Sequence, residues 1–386
     1  MLDIFVPVKN RFHTLQHTLK SCISFISSDI RLHKSKIIIL DCGSSDIPQT
    51  WIQSLPEVVF YARTSANLSM SANWERCFDY MSNKYFTFVG SDDGLIYNKC
   101  SVDNIFNYSG IDCFFWQKIS FFWPNTTYEG SPAFFTYPVP IAYKNHNDLL
   151  VDILNSNIPW NSLPTVYNGI ISSEFARKVK SLVPEKRFFW NSVPDICSGI
   201  NILKYKANLF HLPLSLGISG VSASSNGYAF ILKKRTLEPV EFESHNQCTA
   251  DNPRFSTNAS LTPLGMTAEI LLKDRFSPPY FSHEIIVLAI KCVAESDNSL
   301  DHKAPRPEAG LRARITRFLF PINVFSTIAD FAKSLQPYYS EIHPLFISYR
   351  FNLPFLGCFN RLIDAINLTT LLLGFRILRF LNSAKS

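Results

Sequence analysis

The sequence lacks the cysteine spacing of a zinc site or of a disulfide framework. Nine cysteines occur, an odd number, and no two of them stand in a C-x-x-C pattern. Small zinc sites and disulfide-stapled domains depend on such regular spacing. We therefore expect free thiols and a reducing compartment.

The chain also lacks a clear targeting or membrane-spanning segment. Its N-terminus, MLDIFVPVKNR, has no basic region followed by a long apolar stretch, so no signal peptide is expected. The most apolar stretch, 362–381, is interrupted by Asp364, Asn367, Arg376 and Arg379, whereas a bilayer span needs about 20 mostly apolar residues. We expect a cytoplasmic protein, either free or peripheral on the inner face of the plasma membrane.

Positive charge is missing from most of the chain and is concentrated at its end. The net charge is +6, but residues 303–386 hold 11 Lys and Arg against 4 Asp and Glu, and residues 1–302 sum to −1. Basic residues among Phe, Leu and Ile are typical of contact with anionic lipid, more than of a nucleic-acid groove. The alternatives for this tail are a solvated helical face, packing on the rest of the chain, and pairing with a second copy.

Composition indicates a folded chain with one large or two modest domains. Hydrophobic residues make up 46% and charged residues 18% of the 386 positions, which supplies a core and argues against global disorder. The 33 Phe residues predict either a very apolar core or a surface that meets lipid.

The first third of the chain alternates between strand and helix patterns. Short apolar runs predict strands, and apolar residues at helical spacing predict helices between them. The predicted strands are 2–8, 36–40, 58–61 and 85–89, and the predicted helices between them are 12–28 and 73–81. This order predicts an α/β fold with an open sheet and helices on both faces.

Polar clusters follow three of these strands, at 9–11, 41–46 and 91–94. Open α/β sheets bind ligands beyond the carboxyl ends of their strands. The sequence therefore predicts a ligand site at this edge of the sheet.

The adjacent carboxylates Asp92 and Asp93 follow the fourth strand and stand between Gly90 and Gly94. Two neighbouring carboxylates are costly to hold together without a cation. Mg²⁺ and Mn²⁺ take carboxylate and phosphate oxygens, and small neighbours leave room for a diphosphate. The alternative interpretation is a solvated Asp-Asp-Gly turn.

Asp41 directly follows the second strand. Its carboxylate can accept hydrogen bonds from an imide N–H or a ribose hydroxyl, and the alternative is a turn or helix-capping role. Asp46 is the better candidate to cap the helix predicted near Pro48.

The ordered runs IFVPVKNR, IIILDCGSSD, ARTSANLSMSANWERCFDY and YFTFVGSDDG resemble the donor half of a family 2 glycosyltransferase with the GT-A fold. The later runs FFWNSVPDICSGINILKY and LPLSLGISGVSASSNG are similar to the acceptor half of such enzymes, as found in bacterial surface-polysaccharide pathways. The resemblance implies a Rossmann-like open mixed sheet over 1–230, with a donor half at 1–110 and an acceptor half at 111–230. A helical extension at 231–300 and a basic apolar helical tail at 301–386 are expected to follow. The sequence pattern predicts a last strand over 209–218, helical segments at 267–273 and 284–294, and two basic apolar helices at about 311–334 and 360–381.

The resemblance also implies roles for individual residues. Nucleoside and donor contacts fall on Pro7, Val8, Asn10, Asp41, Arg63, Asn67, Ser71, Asn73 and Asp92. Asp93 is the implied metal ligand, for Mn²⁺ or Mg²⁺, and Asp195 is the implied general base. The alternative for Asp195 is a helix N-cap after Pro194. Ser222 is a weaker candidate on the acceptor side, and Trp74, Trp116 and Trp123 are either stacking platforms or core residues.

Two departures from the family pattern are visible. Ser91 replaces the first carboxylate of the usual D-x-D motif, which favours Asp93 over Asp92 as the direct ligand. The acidic pair near the base is reduced to Asp195, because Pro194 precedes it. A Q-x-x-R-W motif appears nowhere in the sequence, which argues against a processive synthase.

The resemblance implies inverting transfer of a sugar from a nucleotide-sugar, with a UDP- or dTDP-sugar as the expected donor. The expected acceptor is a saccharide or a lipid-linked saccharide, with membrane contact through 311–381 and no nucleic-acid partner. One alternative is a catalytically inactive scaffold of the same fold that binds nucleotide or membrane. A second is a sugar-phosphate nucleotidyltransferase, although PVKNRFHT lacks the glycines of that class's N-terminal loop.

Overall fold

The structure of the protein is a computed structural model that describes residues 1–65, 68–117, 119–123, 132–134, 146–158, 160–212, 214–222 and 263–298. The predicted tail 301–386 and the helices expected within it, at 311–334 and 360–381, lie outside these residues, as does Asn67. Among the helices of the described residues, none is both long and apolar enough to cross a bilayer.

The elements are eleven strands and ten α-helices in the described residues. The strands are β1 Leu2–Val8, β2 Lys36–Cys42, β3 Val59–Thr64, β4 Tyr85–Phe88, β5 Gly94–Leu95, β6 Cys113–Phe115, β7 Ile119–Phe122, β8 Pro132–Phe134, β9 Gly169–Ser172, β10 Leu209–His211 and β11 Gly217–Val221. The helices are α1 Phe12–Ser27, α2 Gln49–Gln53, α3 Met70–Glu75, α4 Cys77–Tyr80, α5 Lys99–Asn107, α6 His146–Leu154, α7 Ser173–Leu182, α8 Pro194–Lys204, α9 Pro263–Asp274 and α10 His283–Asn298.

Seven strands form the main sheet in the order β10-β6-β9-β4-β1-β2-β3. β1 pairs in parallel with β2 and β4, and β2 pairs in parallel with β3. β9 runs antiparallel to both β4 and β6, so the sheet is mixed. The predicted open mixed α/β sheet is therefore confirmed.

A second sheet of four strands has the order β5-β11-β7-β8. The sequence predicted a single strand over 209–218, and this prediction was wrong. The chain there forms two strands, β10 and β11, which belong to different sheets. Leu216, directly before β11, is fully buried, so one apolar run supplies both sheets and hides the break between them.

Apolar side chains alternate along the central strands and fill a core on each face of the main sheet. Ile4 and Val6 pack with Leu15 of α1 on one face, whereas Phe5 and Phe86 belong to the core of the other face. Alternate residues of a strand point to opposite faces, so strands buried on both sides read as continuous apolar runs. Helices therefore cover both faces, as predicted.

Aromatic side chains make up much of the larger core. Trp74 stacks on Phe88 with ring centroids 4.8 Å apart, and Phe189 contacts both rings edge-on at 5.5 and 5.4 Å. Trp74 and Trp116 are both 1% exposed, so they are core residues. A share of the many phenylalanines thus fills the interior of the sheet domain.

Helices α9 and α10 confirm the helical segments predicted near 267–273 and 284–294. Their inward side chains Ile270, Leu271 and Ile285 belong to the same core as α8. Lys204 of α8 and Asp274 of α9 form an ion pair of 2.6 Å that is almost completely buried. The two helices are therefore an integral layer of the sheet domain.

Candidate active site

The loops after β1 and β2 are joined by hydrogen bonds of Asn10, which has a left-handed backbone with φ 51°. Its backbone N–H donates to Ser44 Oγ at 2.9 Å, and its Oδ1 accepts from the backbone N–H of Ser45 at 2.9 Å. Pro7 and Val8 end β1 directly before this loop. The first two predicted polar clusters therefore lie side by side at the carboxyl edge of the sheet.

Asp41 is completely buried at the end of β2. Its Oδ1 accepts the Ser44 N–H at 2.9 Å, its Oδ2 accepts the Tyr61 hydroxyl at 2.6 Å, and Arg63 Nε lies 3.6 Å from Oδ2. Burial and the Asp41 carboxylate raise the pKa of Tyr61. The half-exposed Arg63 also donates to the Ser44 carbonyl at 2.9 Å, so these side chains form one polar cluster at the edge.

Ser71 and Asn73 of α3 point into the protein. The Ser71 hydroxyl donates to the Asn191 carbonyl. Asn73 Nδ2 donates to the Leu40 carbonyl of β2 at 3.0 Å, and Asn73 Oδ1 accepts from Arg76 at 2.7 Å. These contacts hold α3 against β2. Both side chains are therefore used inside the protein, which differs from the donor contact implied for them by the family resemblance.

Asp46 does not cap the helix near Pro48, so that prediction was wrong. Pro48 itself occupies the N-cap position of α2. The Asp46 carboxylate instead accepts the backbone N–H of Phe12, the first residue of α1, at 2.8 Å. Sequence distance hid this contact, because Asp46 and Phe12 are 34 positions apart.

The acidic pair lies in the turn between β4 and β5, where the second sheet meets the first. Asp93 Oδ2 accepts the Gly90 N–H at 3.0 Å, and its Oδ1 accepts the Gly220 N–H of β11 at 2.7 Å. Asp92 is 7% exposed, and its Oδ2 accepts the Ser222 hydroxyl at 2.6 Å. β11 and the residue after it thus hold both carboxylates, and Ser222 lies at the site.

Arg11 supplies positive charge beside the acidic pair. Its Nη1 lies 3.4 Å from Asp92 Oδ2, so the loop after β1 reaches the turn after β4. Sequence reasoning missed Arg11 as a site residue. Its place directly after Asn10, in the polar cluster that follows β1, is the signal that could have identified it.

Trp123 directly follows β7 and contacts the acidic turn. Its indole N–H donates to the Asp92 carbonyl at 2.8 Å, and its ring contacts the imidazoles of His13 and His17 with centroid distances of 6.2 and 5.4 Å. The backbone of Gly220 lies so close to the acidic turn that an added Cβ would be 1.6 Å from the Asp92 carbonyl oxygen. Only glycine fits at this position.

Asp195 lies in the first turn of α8, directly after Pro194. The alternative interpretation of Asp195 as the N-cap was wrong, because Val193 occupies that position. The Ser198 hydroxyl donates to the Asp195 backbone carbonyl at 2.5 Å. Asp195 is thus an acidic residue of the first turn of α8, where the positive end of the helix dipole lies.

Tyr167 is a phenol whose pKa responds to the acidic pair and to Asp195. Its pKa is raised well above the ordinary value, first by burial and then by the charges of Asp93, Asp195 and Asp92, while Arg11 acts in the opposite direction. These groups therefore lie within electrostatic reach of one phenol. No sequence motif pointed to Tyr167.

The donor set fits a divalent cation that also has oxygen ligands from a diphosphate. Among the residues that the structure describes, no group of three or more His, Cys, Asp and Glu side chains could hold a metal by itself. Mg²⁺ in phosphate-transfer sites is commonly held by one or two carboxylates plus phosphate oxygens. Asp92 and Asp93 match that requirement, since a carboxylate has about four acceptor positions.

Comparison with known proteins gives one match in sequence. Residues 3–100 match the family model of glycosyl transferase family 2. This segment contains β1 to β5, the acidic pair and the polar cluster around Asp41. No curated protein matches the chain significantly.

Comparison of structures finds crystal structures of S. aureus TarS. TarS 1–349 is 13% identical over 80% of this chain and 94% of that chain, with a TM-score of 0.44. TarS 1–349 in complex with UDP-GlcNAc is 12% identical over 76% of this chain and 80% of that chain, with a TM-score of 0.43.

Proposed function

Residues 3–100 match the family model of glycosyl transferase family 2, and from this premise we propose that the protein is a metal-dependent, inverting glycosyltransferase. It transfers a sugar from a nucleoside-diphosphate sugar, with UDP- or dTDP-sugars as the proposed donors, to a saccharide or lipid-linked saccharide. The observation that carries this proposal is the position of Asp92 and Asp93 in the turn after β4, where Arg11 Nη1 lies 3.4 Å from Asp92 Oδ2, next to the polar edge formed by Asp41.

The proposed nucleoside site is the edge formed by the loops after β1 and β2. Asp41 and Asn10 lie there, and Arg63 is half-exposed beside them. Carboxylate and amide oxygens can accept hydrogen bonds from an imide N–H or ribose hydroxyls, and a guanidinium can pair with phosphate. Asn67 stays a proposed donor contact, as the family resemblance implies.

The proposed diphosphate site lies over the acidic turn. Asp93, assisted by Asp92, would hold Mn²⁺ or Mg²⁺ against the diphosphate, and the bound ion would neutralise charge on the leaving nucleoside diphosphate. Arg11 adds a second positive group on the same side, 3.4 Å from Asp92. Fixed charges aimed at a developing anion stabilise the transition state without reorganisation.

Asp195 is the proposed general base. Its carboxylate takes the proton of the acceptor hydroxyl as that oxygen attacks the anomeric carbon, and the bond from this carbon to the diphosphate oxygen breaks. Attack from the face opposite the leaving group inverts the anomeric configuration. Positioned proton transfer of this kind contributes typically 10²–10⁴-fold to a rate.

A second candidate function is that of a nucleotide-binding scaffold without turnover. It is favoured by one observation, that both Asp93 carboxylate oxygens already accept backbone N–H groups. Ser91 in place of the first carboxylate of the family motif points the same way. The two functions differ in turnover, not in nucleotide binding.

The biosynthetic role proposed is assembly of a bacterial surface polysaccharide of O-antigen type. The proposed location is the cytoplasm, with peripheral contact of the basic tail 311–381 to the inner face of the plasma membrane. The support for both is the family resemblance and the +7 charge of residues 303–386.

The test is release of nucleoside diphosphate from a panel of UDP-, dTDP- and GDP-sugars, with Mn²⁺ or Mg²⁺ and a mixture of saccharide acceptors. We expect one donor to be turned over and Asp195→Asn to reduce the rate by about 10²–10⁴-fold. Asp103→Asn is the matched control, because Asp103 lies in a surface ion pair of α5 with Lys99. Nucleotide binding without turnover of any donor would favour the scaffold instead.

A further inference from the structure

The first two turns of α1 carry two histidines on one exposed face. His13 and His17 are four positions apart and both are exposed, and their ring centroids lie 6.0 Å apart. Residues four positions apart are neighbours on the surface of an α-helix. The sequence holds nine histidines, and these two are the only ones with H-x-x-x-H spacing. The two imidazoles, here termed the histidine pair, can therefore act on one ligand.

Two imidazoles at this spacing suit one transition-metal ion. Imidazole nitrogen is a preferred ligand of Zn²⁺, Ni²⁺ and Cu²⁺, and two histidines four positions apart on a helix bind one ion in H-E-x-x-H sites. With metal–nitrogen bonds of about 2.0–2.1 Å, two imidazoles on one ion have ring centroids about 4.5–6.5 Å apart. The distance within the histidine pair lies in this range. Each ring binds an ion through one nitrogen, and its other nitrogen can keep a hydrogen bond.

Trp123 connects the histidine pair to the acidic turn. Its ring contacts both imidazoles, with centroid distances of 6.2 Å to His13 and 5.4 Å to His17. Its indole N–H donates to the Asp92 carbonyl at 2.8 Å. The histidine pair therefore lies beside the proposed diphosphate site, and an ion bound there would lie close to an indole ring.

The charged groups beside the histidine pair are not those that hold a hard cation. Lys20 is exposed and lies three positions after His17 on the same helix, and Arg11 pairs with Asp92. Residues 9–28 contain no Asp or Glu. Mg²⁺ and Mn²⁺ depend on carboxylate, carbonyl and water oxygens. The histidine pair therefore suits an ion that forms its bonds with imidazole itself.

We propose that His13 and His17 bind a transition-metal ion of the Zn²⁺, Ni²⁺ and Cu²⁺ class, at a site separate from the acidic turn. Water or an oxygen of a bound ligand completes the coordination, because two protein ligands leave positions open. The two sites differ in ligand type, since carboxylate and phosphate oxygens suit Mg²⁺ and Mn²⁺ whereas imidazole suits the later metals. The proposal does not depend on the proposed sugar transfer, because binding of this ion requires neither nucleotide nor turnover.

The test is calorimetric titration of the untagged full chain with Ni²⁺ alone. We expect one ion to bind, and His13→Gln and His17→Gln each to lower the affinity by at least about tenfold, because the second bond of a chelate forms within the complex. His33→Gln is the matched control, since His33 is exposed and has no histidine four positions away. This control and Asp93→Asn are expected to bind Ni²⁺ as the unmodified chain does.

Tryptophan fluorescence locates the bound ion. Ni²⁺ on the histidine pair should quench the emission of Trp123, and Trp123→Phe should remove this quenching while the Ni²⁺ affinity is retained. Melting temperatures establish that the histidine variants are folded, as expected for exposed positions. Unchanged affinity in both histidine variants would overturn the proposal, as would a failure of the unmodified chain to bind Ni²⁺. Loss of Ni²⁺ binding in Asp93→Asn would assign the ion to the carboxylates, against the proposal.

Discussion

Substitution of Gly220 by alanine tests whether β11 holds the acidic pair in place. An alanine Cβ at this position would lie 1.6 Å from the Asp92 carbonyl oxygen and 2.6 Å from Trp123 Nε1. The first contact is with backbone, so a side-chain rotation cannot relieve it. β11 must therefore move away from the turn, and the hydrogen bond of 2.7 Å from the Gly220 N–H to Asp93 is lost.

The expected cost combines overpacking with the loss of a hydrogen bond to a charged group. Overpacking costs about 1–3 kcal/mol, and a hydrogen bond to a charged group is worth about 1.5–3 kcal/mol. We expect a loss of about 3 kcal/mol in the free energy of unfolding, or a decrease of about 6 °C in Tm. Displacement of Asp93 should also weaken metal-dependent nucleotide binding by at least about tenfold, equivalent to 1.4 kcal/mol.

The assay is calorimetric titration of nucleoside diphosphate with Mn²⁺, together with thermal unfolding. Gly110→Ala is the matched control, because its Cβ would meet nothing within 4 Å while its φ of 73° still imposes backbone strain of about 1–2 kcal/mol. This control should have a slightly lower Tm and bind nucleotide with the affinity of the unmodified chain. The reasoning is refuted if Gly220→Ala binds nucleotide within twofold of the unmodified chain.

Three further outcomes are expected. Asp195→Asn should lower kcat by about 10²–10⁴-fold and leave nucleotide affinity unchanged in titration; a parallel loss of affinity would contradict its role as base. Lys204→Met should destabilise the chain by about 3–5 kcal/mol in denaturant, because Asp274 keeps a buried charge, and adding Asp274→Leu should restore most of the loss. Burial lowers the pKa of His211 to about 4, so the folded state binds fewer protons than the unfolded state, and stability should fall as the pH drops from about 6.5 towards 4. His211→Leu should remove this part of the pH dependence of Tm, and an unchanged profile would exclude His211 as its source.

The donor-side half of the site could be predicted because its residues directly follow apolar strands. Asp41 and the pair Asp92 and Asp93 end such runs, and parallel pairing of β1 with β2 and β4 brings strand ends to one edge of a sheet. The strand pattern therefore determined both the fold class and the location of these carboxylates.

Contacts made by the second sheet could not be predicted in the same way. Gly220 and Ser222 reach the acidic pair across 127 and 130 positions of sequence, and Trp123 reaches it from a third segment. No local pattern encodes such distances. Tyr167 was missed for a related reason, because its importance comes from burial among distant charges.

Residues of the same type in similar sequence segments differ in burial, and this difference could not be predicted. Trp74 and Trp116 are buried in the two cores, whereas Trp123 contacts the acidic turn, although all three stand in aromatic-rich segments. Asn73 belongs to a motif of the donor half, yet its side chain hydrogen-bonds inside the protein.

The most direct test of the central claim is thermal unfolding with UDP, dTDP or GDP, with and without Mn²⁺, for the unmodified chain and Asp93→Asn. A ligand at about 100 times its Kd adds about 2.7 kcal/mol of stability. We predict that one nucleotide raises Tm only when the metal is present, and that Asp93→Asn abolishes the increase. If no nucleotide raises Tm under either condition, the proposed donor site is contradicted.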